Sequence, residues 1–178
     1  TYMSSMFYQA TAFNQDISKW CVTNITSEPS DFAAGSGLSS STKPKWGTCP
    51  LMVWRAGKTT FTKADGADPN AEANQDRITS NVWITRGNTA GQIFNIKKES
   101  VSNKTNSPIG TKWAVGTLGQ VDSLTFKKFR EAVGKPKDVV GKNLVMYLED
   151  DDIYLSVKFT SWSQGKYGGF AYERTSKP

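Results

Sequence analysis

The stretch Asn143–Thr175, NLVMYLEDDDIYLSVKFTSWSQGKYGGFAYERT, decides the fold class because it reads as three consecutive antiparallel strands. In residues 153–160 apolar and polar side chains alternate, which is the period of a strand with one buried face. Leu144, Met146 and Leu148 repeat this apolar face one strand earlier. The sequence therefore predicts an antiparallel meander with one face toward a core and one toward water.

Two turns join these strands. The acidic run Glu149–Asp152 is predicted as a tight turn, and Ser163–Gly169 has the Gly and Ser content of a second one. The acidic run also suits a cation site or the paired carboxylates of glycoside hydrolysis. Acids at a hairpin tip lie in bulk water, which keeps them all charged, so a solvated turn is the stronger prediction.

The rest of residues 51–178 alternates short strands with turns. The predicted elements are the strands Thr59–Lys63, Ile78–Arg86, Gln92–Ile96 and Lys112–Gly116 and the helix Leu124–Gly134. In the helix Phe126, Phe129 and Val133 share a face, and Gly134 stands at the end. About seven strands with one short helix predict a mainly β fold, an antiparallel β-sandwich of jelly-roll-like type whose helix closes one edge.

Composition limits the chemistry. Hydrophobic residues make up 37% and aromatic residues 12% of 178 residues, which is enough to build a core. No apolar run is long enough to span a membrane, and the first residues lack the pattern of a signal peptide. The chain has no histidine, which removes the commonest general base and metal ligand. We therefore predict that the chain is not an enzyme. A polysaccharide-degrading enzyme that uses Asp and Glu alone is less favoured than either a binding role or a structural role.

Cys21 and Cys49 enclose a Ser-, Gly-, Thr- and Pro-rich segment with little core of its own. We predict that they form a disulfide, which implies an oxidising, extracellular setting. The alternative is two free thiols in a cytosolic protein.

The net charge of +6 is concentrated in residues 97–142. That segment holds ten basic residues against four acidic ones, the basic ones being Lys97, Lys98, Lys104, Lys112, Lys127, Lys128, Arg130, Lys135, Lys137 and Lys142. A solvated lysine-rich face is the simpler explanation, and contact with anionic glycans or phosphate-bearing polymers is the more specific one. Nucleic acid is a weaker candidate because no arginine-aromatic motif accompanies the lysines.

The loop of residues 64–76, ADGADPNAEANQD, is rich in oxygen ligands. The predicted metal ligands are Asp65, Asp68, Asn70 and Asp76, with Asn74 beside them. Calcium prefers such groups in a loop that can fold around the ion, so calcium is the one cofactor that the sequence suggests. The alternative is a turn-rich surface loop whose Asp and Asn side chains make local hydrogen bonds.

Six Trp and six Tyr exceed what the core of a domain of this size needs. The predicted ligand-binding residues lie at strand or turn positions away from the aliphatic stripe, and they are Trp83, Trp113, Tyr154, Trp162 and Tyr167. Exposed aromatic planes stack on sugar rings, so a carbohydrate-binding face is one prediction. The alternative is that these rings pack against a second sheet or the helix.

Residues 1–26 contain the string MSSMF-x-x-A-x-x-FNQDIS-x-W followed by V-x-N-I-T. It resembles one unit of the bacterial surface-protein leucine-rich repeats known as BspA-like. The resemblance implies a solenoid repeat that stacks on earlier repeats outside this sequence. Cys21 departs from the family pattern, and we find no further repeat in the sequence, so residues 1–50 are predicted as a terminal unit and its cap. The cap is Glu28–Pro50, covered by Phe32, Leu38 and Trp46.

Residues 51–178 resemble an uncharacterised module of secreted, repeat-bearing proteins of marine bacteria or their phages, through strings such as VWITRG, KWAVGT and DDIYLSVKFTSWSQGKYGGFAYER. We expect a non-catalytic extracellular binding or adhesion module, at a cell or virion surface, that recognises a glycan or a protein ligand without inserting into a membrane. The alternative is a structural module of a filament or virion fibre that contacts copies of itself.

Overall fold

The computed structural model describes residues 2–89 and 91–178. The chain divides into two compact units, Thr1–Leu51 and Met52–Pro178. Each unit has a hydrophobic core of its own, and we describe each by itself as unit 1 and unit 2.

Unit 1 consists of turns and extended segments, and no helix or strand is assigned within residues 2–51. Its backbone is nevertheless ordered by long-range hydrogen bonds, four of which share one spacing. The N–H groups of Ser5, Phe7 and Gln9 donate to the carbonyls of residues 30, 32 and 34, and the N–H group of Ile17 donates to that of residue 42. Each bond joins a residue to the one 25 positions later, so two successive stretches lie side by side in parallel.

Residues 28–50, predicted as the cap of unit 1, are joined to the first stretch by these hydrogen bonds. The predicted covering residues Phe32, Leu38 and Trp46 do join the core of unit 1, together with Met3 and Ile17. Phe7 stacks on Phe13 and meets the Phe32 ring edge to face, as aromatic pairs prefer. The predicted disulfide between Cys21 and Cys49 is confirmed.

Unit 2 is mainly β. Its strands are β1 Met52–Trp54, β2 Ala56–Lys63, β3 Asp76–Arg77, β4 Trp83–Arg86, β5 Ile93–Asn95, β6 Thr111–Val115, β7 Asn143–Leu148, β8 Ile153–Trp162 and β9 Phe170–Ser176. The α-helix α1 is Phe129–Val133, and short 3-10 helices cover Glu72–Asn74, Leu118–Ser123 and Pro136–Asp138.

Two sheets contain these strands. The larger has the order β2-β9-β8-β7-β6, with β1 pairing in parallel with the first three residues of β8, and the smaller has the order β3-β4-β5. The predicted meander is confirmed, because β7, β8 and β9 pair antiparallel in sequence order. This consecutive order is that of a meander with β2 added at one edge, so the strand order does not reproduce the jelly-roll arrangement suggested by the sequence.

The core of unit 2 lies on one face of the large sheet. Leu144, Met146 and Leu155 from that face join Ile84 of β4 and Phe129 of α1 in a single buried cluster. A smaller cluster covers part of the opposite face, where residues 118–126 pack over Val145. Both faces of β7 are therefore occupied, which its alternating pattern alone did not indicate.

The helix is shorter than predicted, because α1 begins at Phe129 instead of Leu124. The N–H group of Lys127 donates to the carbonyl of Trp113, and the N–H group of Trp113 donates back to Lys127. This bridge draws the preceding residues into an extended conformation at the edge of β6. Pairing of an otherwise open sheet edge thus overrides helix propensity. Within the described residues no helix is long and apolar enough to cross a membrane.

Candidate functional site

Trp113, one of the five predicted aromatic ligand-binding residues, lies in the core of unit 2. Its side chain is 0% exposed, its ring packs edge to face on Phe129, and its Nε1–H donates to Thr111 Oγ1. The ring therefore offers no face to a sugar. It sits on the inner side of β6 because the register with β7 places it opposite Met146.

Trp83 lies on the small sheet and is covered by cations. The Cζ atom of Arg77 is 4.2 Å and the Nζ atom of Lys97 is 4.6 Å from the centroid of the indole ring. The indole Nε1–H donates to the backbone oxygen of Thr79. These cation–π contacts use the ring for structure and leave it little free face for a ligand.

The other three predicted aromatics lie apart from these. Tyr154 stacks on Tyr147 with centroids 4.4 Å apart, on the outer face of the large sheet. Trp162, at the end of β8, is half-buried beneath the guanidinium of Arg86. Tyr167 is 65% exposed in the turn before β9. The five residues are therefore spread over the core, both sheets and a turn, and they do not form one aromatic face.

The predicted calcium ligands do not converge either. Asp76 is buried in β3, where its carboxylate pairs with Arg174. Asp65 accepts a hydrogen bond from the N–H of Gly169, and Asp68 accepts from the backbone and side chain of Asn70. Within the described part of the chain no group of three His, Cys, Asp or Glu side chains is placed to hold a metal ion. Only the contacts of Asp68 are the local hydrogen bonds of the alternative, whereas Asp65 and Asp76 bond to residues about a hundred positions away.

The acidic turn Glu149–Asp152 has a structural use that the sequence did not suggest. The carboxylate of Glu149 pairs with Lys112 and Lys128, and that of Asp150 pairs with Lys98. The carboxylate of Asp151 accepts hydrogen bonds from the side chains of Thr79 and Asn81. The turn therefore ties several segments of unit 2 together, while Asp150 and Asp152 remain exposed, as expected of a solvated turn.

Unit 2 has a basic cleft of about 320 Å³. It lies where the ends of β4 and β8 meet α1 and the 3-10 helix Pro136–Asp138. Its lining contains the cationic residues Arg86, Lys104, Arg130, Lys135 and Lys137, and it contains no acidic residue. Among the described residues none of these five cations belongs to an ion pair.

Arg86 is the centre of this basic cleft. It is 2% exposed, and its Cζ atom lies 4.1 Å from the centroid of the Trp162 ring. Its Nη1 donates to the backbone oxygens of Ser163 and Gly169 at 2.8 and 2.9 Å, and its Nε donates to Gly91 at 3.3 Å. The Nη2 atom makes no hydrogen bond to any described residue.

The charge of Arg86 is held by backbone dipoles and an aromatic face in place of a carboxylate. Burial lowers the pKa of its guanidinium, whereas the negative charge of Asp65 acts in the opposite direction. Buried charges in proteins are normally paired. A guanidinium with one open nitrogen, fixed at the base of a cleft lined by lysines, is suited to bind an anionic oxygen through a charge-assisted hydrogen bond.

Sequence reasoning identified Trp162 and the basic segment 97–142, but it missed Arg86. The signal available was an arginine at the end of the apolar strand ITRG. A charged residue in a strand that is otherwise buried requires a specific partner. Lys104, Arg130, Lys135 and Lys137 belong to the basic segment, and four other cations of that segment are paired with acids.

The first part of the chain matches one family model. The model is described as "Mycoplasma protein of unknown function, DUF285", and it matches residues 1–66. The match covers unit 1 and the first two strands of unit 2. No curated protein and no solved structure matches the chain.

Proposed function

We propose that this chain is a non-catalytic, extracellular binding module, and that unit 2 binds an acidic glycan or a similar anionic surface polymer in the basic cleft. The observation that carries the proposal is Arg86, a buried guanidinium without a carboxylate partner at the base of a cleft lined by cations. Binding an anion there supplies the missing counter-charge and relieves repulsion among the cations.

A polymer is favoured over a small anion because the cations surround the cleft on several elements. Lys104 lies in the loop after β5, Arg130 in α1, and Lys135 and Lys137 at the 3-10 helix. A ligand that reaches all of them carries several charges spaced along its length. Exposed lysines contribute steering and affinity that fall as salt is added.

Two observations support the non-catalytic, extracellular part of the proposal. The chain has no histidine, and the disulfide Cys21–Cys49 suits an oxidising compartment. The BspA-like string and the 25-residue hydrogen-bond spacing support a repeat unit within residues 1–50. We propose that this unit displays unit 2 at a bacterial or virion surface.

The test compares a sulfated with an uncharged form of one polysaccharide, dextran sulfate and dextran, by titration calorimetry at two salt concentrations. We expect saturable binding to dextran sulfate that weakens with salt, and no binding to dextran. A triple variant, Lys104→Gln, Lys135→Gln and Lys137→Gln, should bind about tenfold more weakly, since three exposed charge contacts of roughly 0.5 kcal/mol each are lost.

The matched control removes three exposed lysines that make no ion pair with a described residue, with Lys19→Gln, Lys158→Gln and Lys177→Gln. It has the same net charge as the cleft variant, so a purely non-specific attraction would weaken equally in both. Equal affinities of the two triple variants would refute binding at the basic cleft.

The alternative, a structural or assembly module, has one observation in its favour. Strand β2 is an edge strand, and among the described residues its outer side pairs with no other strand. Open strand edges are templates for pairing between chains. Sedimentation of the protein without ligand should then show association that rises with concentration, and a monomer at all concentrations would remove this alternative.

A further inference from the structure

Lys63, the last residue of β2, is a second buried cation in unit 2, and the proposed binding function does not use it. Its side chain is 1% exposed. Its Nζ atom lies 2.9 Å from Oδ1 of Asn88 and 3.4 Å from the carbonyl oxygen of Gly168. Among the described residues no carboxylate lies within ion-pair distance of this amine.

The surroundings of this pair hold both side chains in place. The amide nitrogen of Asn88 donates to the carbonyl oxygen of Ala67. A Cβ atom on Gly168 would overlap Asn88 Oδ1, so only glycine allows the amide to sit where it does. The carboxylate of Asp65 accepts from the N–H of the next glycine, Gly169. The amine, the amide and a carboxylate are thereby held around two consecutive glycines.

A buried ammonium is unfavourable here for two physical reasons. Burial lowers the pKa of Lys63 most strongly, and the neighbouring charge of Arg86 lowers it further, while Asp65 and Asp68 act in the opposite direction. An amine that is desolvated beside another cation loses its proton readily and becomes a nucleophile. Conversion to a neutral amide would remove the buried charge and its repulsion with Arg86.

We propose that Lys63 and Asn88 form an intramolecular isopeptide bond. The Lys63 amine nitrogen attacks Cγ of Asn88, a new C–N bond forms, and the original C–N bond of the carboxamide breaks. The Lys63 ammonium gives up two protons, one before and one after the attack, and the departing NH2 group takes up both and leaves as ammonium. One ammonium is consumed and one released, so charge and atoms balance without an oxidant, a reductant or a cofactor.

The bond joins strand β2, at the edge of the large sheet, to the turn that follows β4 of the small sheet. A covalent tie between the two sheets restricts the unfolded chain much as a disulfide does, and it resists reduction. The inference is independent of the proposed binding function, because it concerns how unit 2 is held together.

The test is the intact mass of the reduced, full-length protein, measured by electrospray mass spectrometry after purification and again after prolonged incubation. We expect a mass below that of the sequence by one ammonia, about 17 Da. Tandem spectra of a protease digest should contain a branched peptide joining the segments of Lys63 and Asn88.

Two variants and a control make the result decisive. Lys63→Arg keeps a buried cation and Asn88→Ala removes the carboxamide, so each should show the full mass, whereas Lys58→Arg on the exposed part of β2 should still lose ammonia. A full mass in the incubated wild-type protein overturns the proposal. A loss that persists in Lys63→Arg or Asn88→Ala also overturns it, because ammonia then leaves from another residue.

Discussion

The side chains of Asp76 and Arg174 form a buried ion pair in unit 2. Nε and Nη2 of the arginine donate to the two carboxylate oxygens at 2.6 and 2.8 Å, and both side chains are at least nine-tenths buried. Tyr172 also donates its hydroxyl proton to Asp76. The pair joins β3 to β9, so it links the two sheets through three hydrogen bonds.

Replacing Asp76 by Asn should destabilise unit 2 by about 3–5 kcal/mol, because it leaves the buried guanidinium without its counter-charge. The measurement is the free energy of unfolding from urea titration. The control is Lys58→Gln, which breaks the exposed pair with Glu173 and should cost less than about 1 kcal/mol. Equal losses in the two variants would contradict the assigned role of Asp76.

The raised pKa of Tyr147 predicts that the folded protein loses stability at alkaline pH. Burial raises its pKa from 10.0 to about 12, and its hydrogen bond to Asp152 adds to the effect. Burial likewise raises the pKa of Tyr172. Because the folded protein holds these protons more tightly than the unfolded chain, the stabilisation is complete below pH 10 and is lost as the pH rises toward 12.

Urea titrations across this pH window should show falling stability, and Tyr147→Phe should flatten the decline. The fold loses a hydroxyl but keeps the ring that stacks on Tyr154. Tyr167→Phe, at an exposed turn position, serves as the control and should follow the wild type. A decline that is unchanged in Tyr147→Phe would show that this hydroxyl does not set the alkaline limit.

Individual residues were predictable from sequence where one chemical rule decides the outcome. Cys21 and Cys49 were correctly paired because a small, core-poor segment requires a cross-link. Aromatic exposure was not predictable. The alternation of a strand assigns a side chain to a face, but Trp113 is buried because another element, α1, covers that face.

At the scale of elements, the connection between β8 and β9 is held by close backbone approach. Gly168 has φ +77°, and a Cβ atom there would overlap the side chain of Asn88 and approach the carbonyl oxygen of Gly87. Gly57 in β2 has open space around it and lacks a positive φ. Substituting alanine at each of the two glycines therefore tests whether the backbone is crowded at Gly168 and uncrowded at Gly57.

Gly168→Ala should destabilise unit 2 by at least about 1–3 kcal/mol, since the backbone conformation and the contacts both exclude a Cβ atom. Gly57→Ala should lie within about 1 kcal/mol of the wild type and is expected to stabilise slightly by restricting the unfolded chain. Thermal unfolding monitored by near-ultraviolet circular dichroism separates the outcomes. A Gly168→Ala protein as stable as Gly57→Ala would contradict the crowding around Asn88.

Elements were predictable where the local pattern is long and unambiguous. The meander β7-β8-β9 follows from alternation over three strands and is confirmed. The 3-10 helix Leu118–Ser123 was missed, although Thr117 and Gln120 have the spacing of a capping box, and the Gln120 side chain accepts from the Thr117 N–H. The start of α1 was misplaced because it depends on the distant bridge between Trp113 and Lys127.

At the scale of the whole molecule, the charge distribution identified most of the cations of the basic cleft but not where the cleft lies. Segment 97–142 contributes four of the five cations of the basic cleft, yet Arg86 comes from β4 and is brought there by the fold. The 25-residue spacing in unit 1 was likewise hidden, because Phe7 and Phe32 correspond while most neighbouring residues differ. Backbone hydrogen bonds do not depend on side-chain identity, so the two stretches can lie in parallel although most of their residues differ.

The disulfide should matter to unit 1 and not to unit 2. It closes a loop across 28 positions, and a bond of that span stabilises a small unit by about 2–4 kcal/mol. The double variant Cys21→Ser, Cys49→Ser should therefore be cut by trypsin within residues 1–51 under native conditions, while residues 52–178 stay as resistant as in the wild type.

Because Cys21 and Cys49 are the only cysteines in the sequence, adding a reductant should reproduce this pattern in the wild type and change nothing in the variant. Equal cleavage within residues 1–51 with and without the bond would show that the hydrogen bonds between the two parallel stretches are sufficient to hold unit 1.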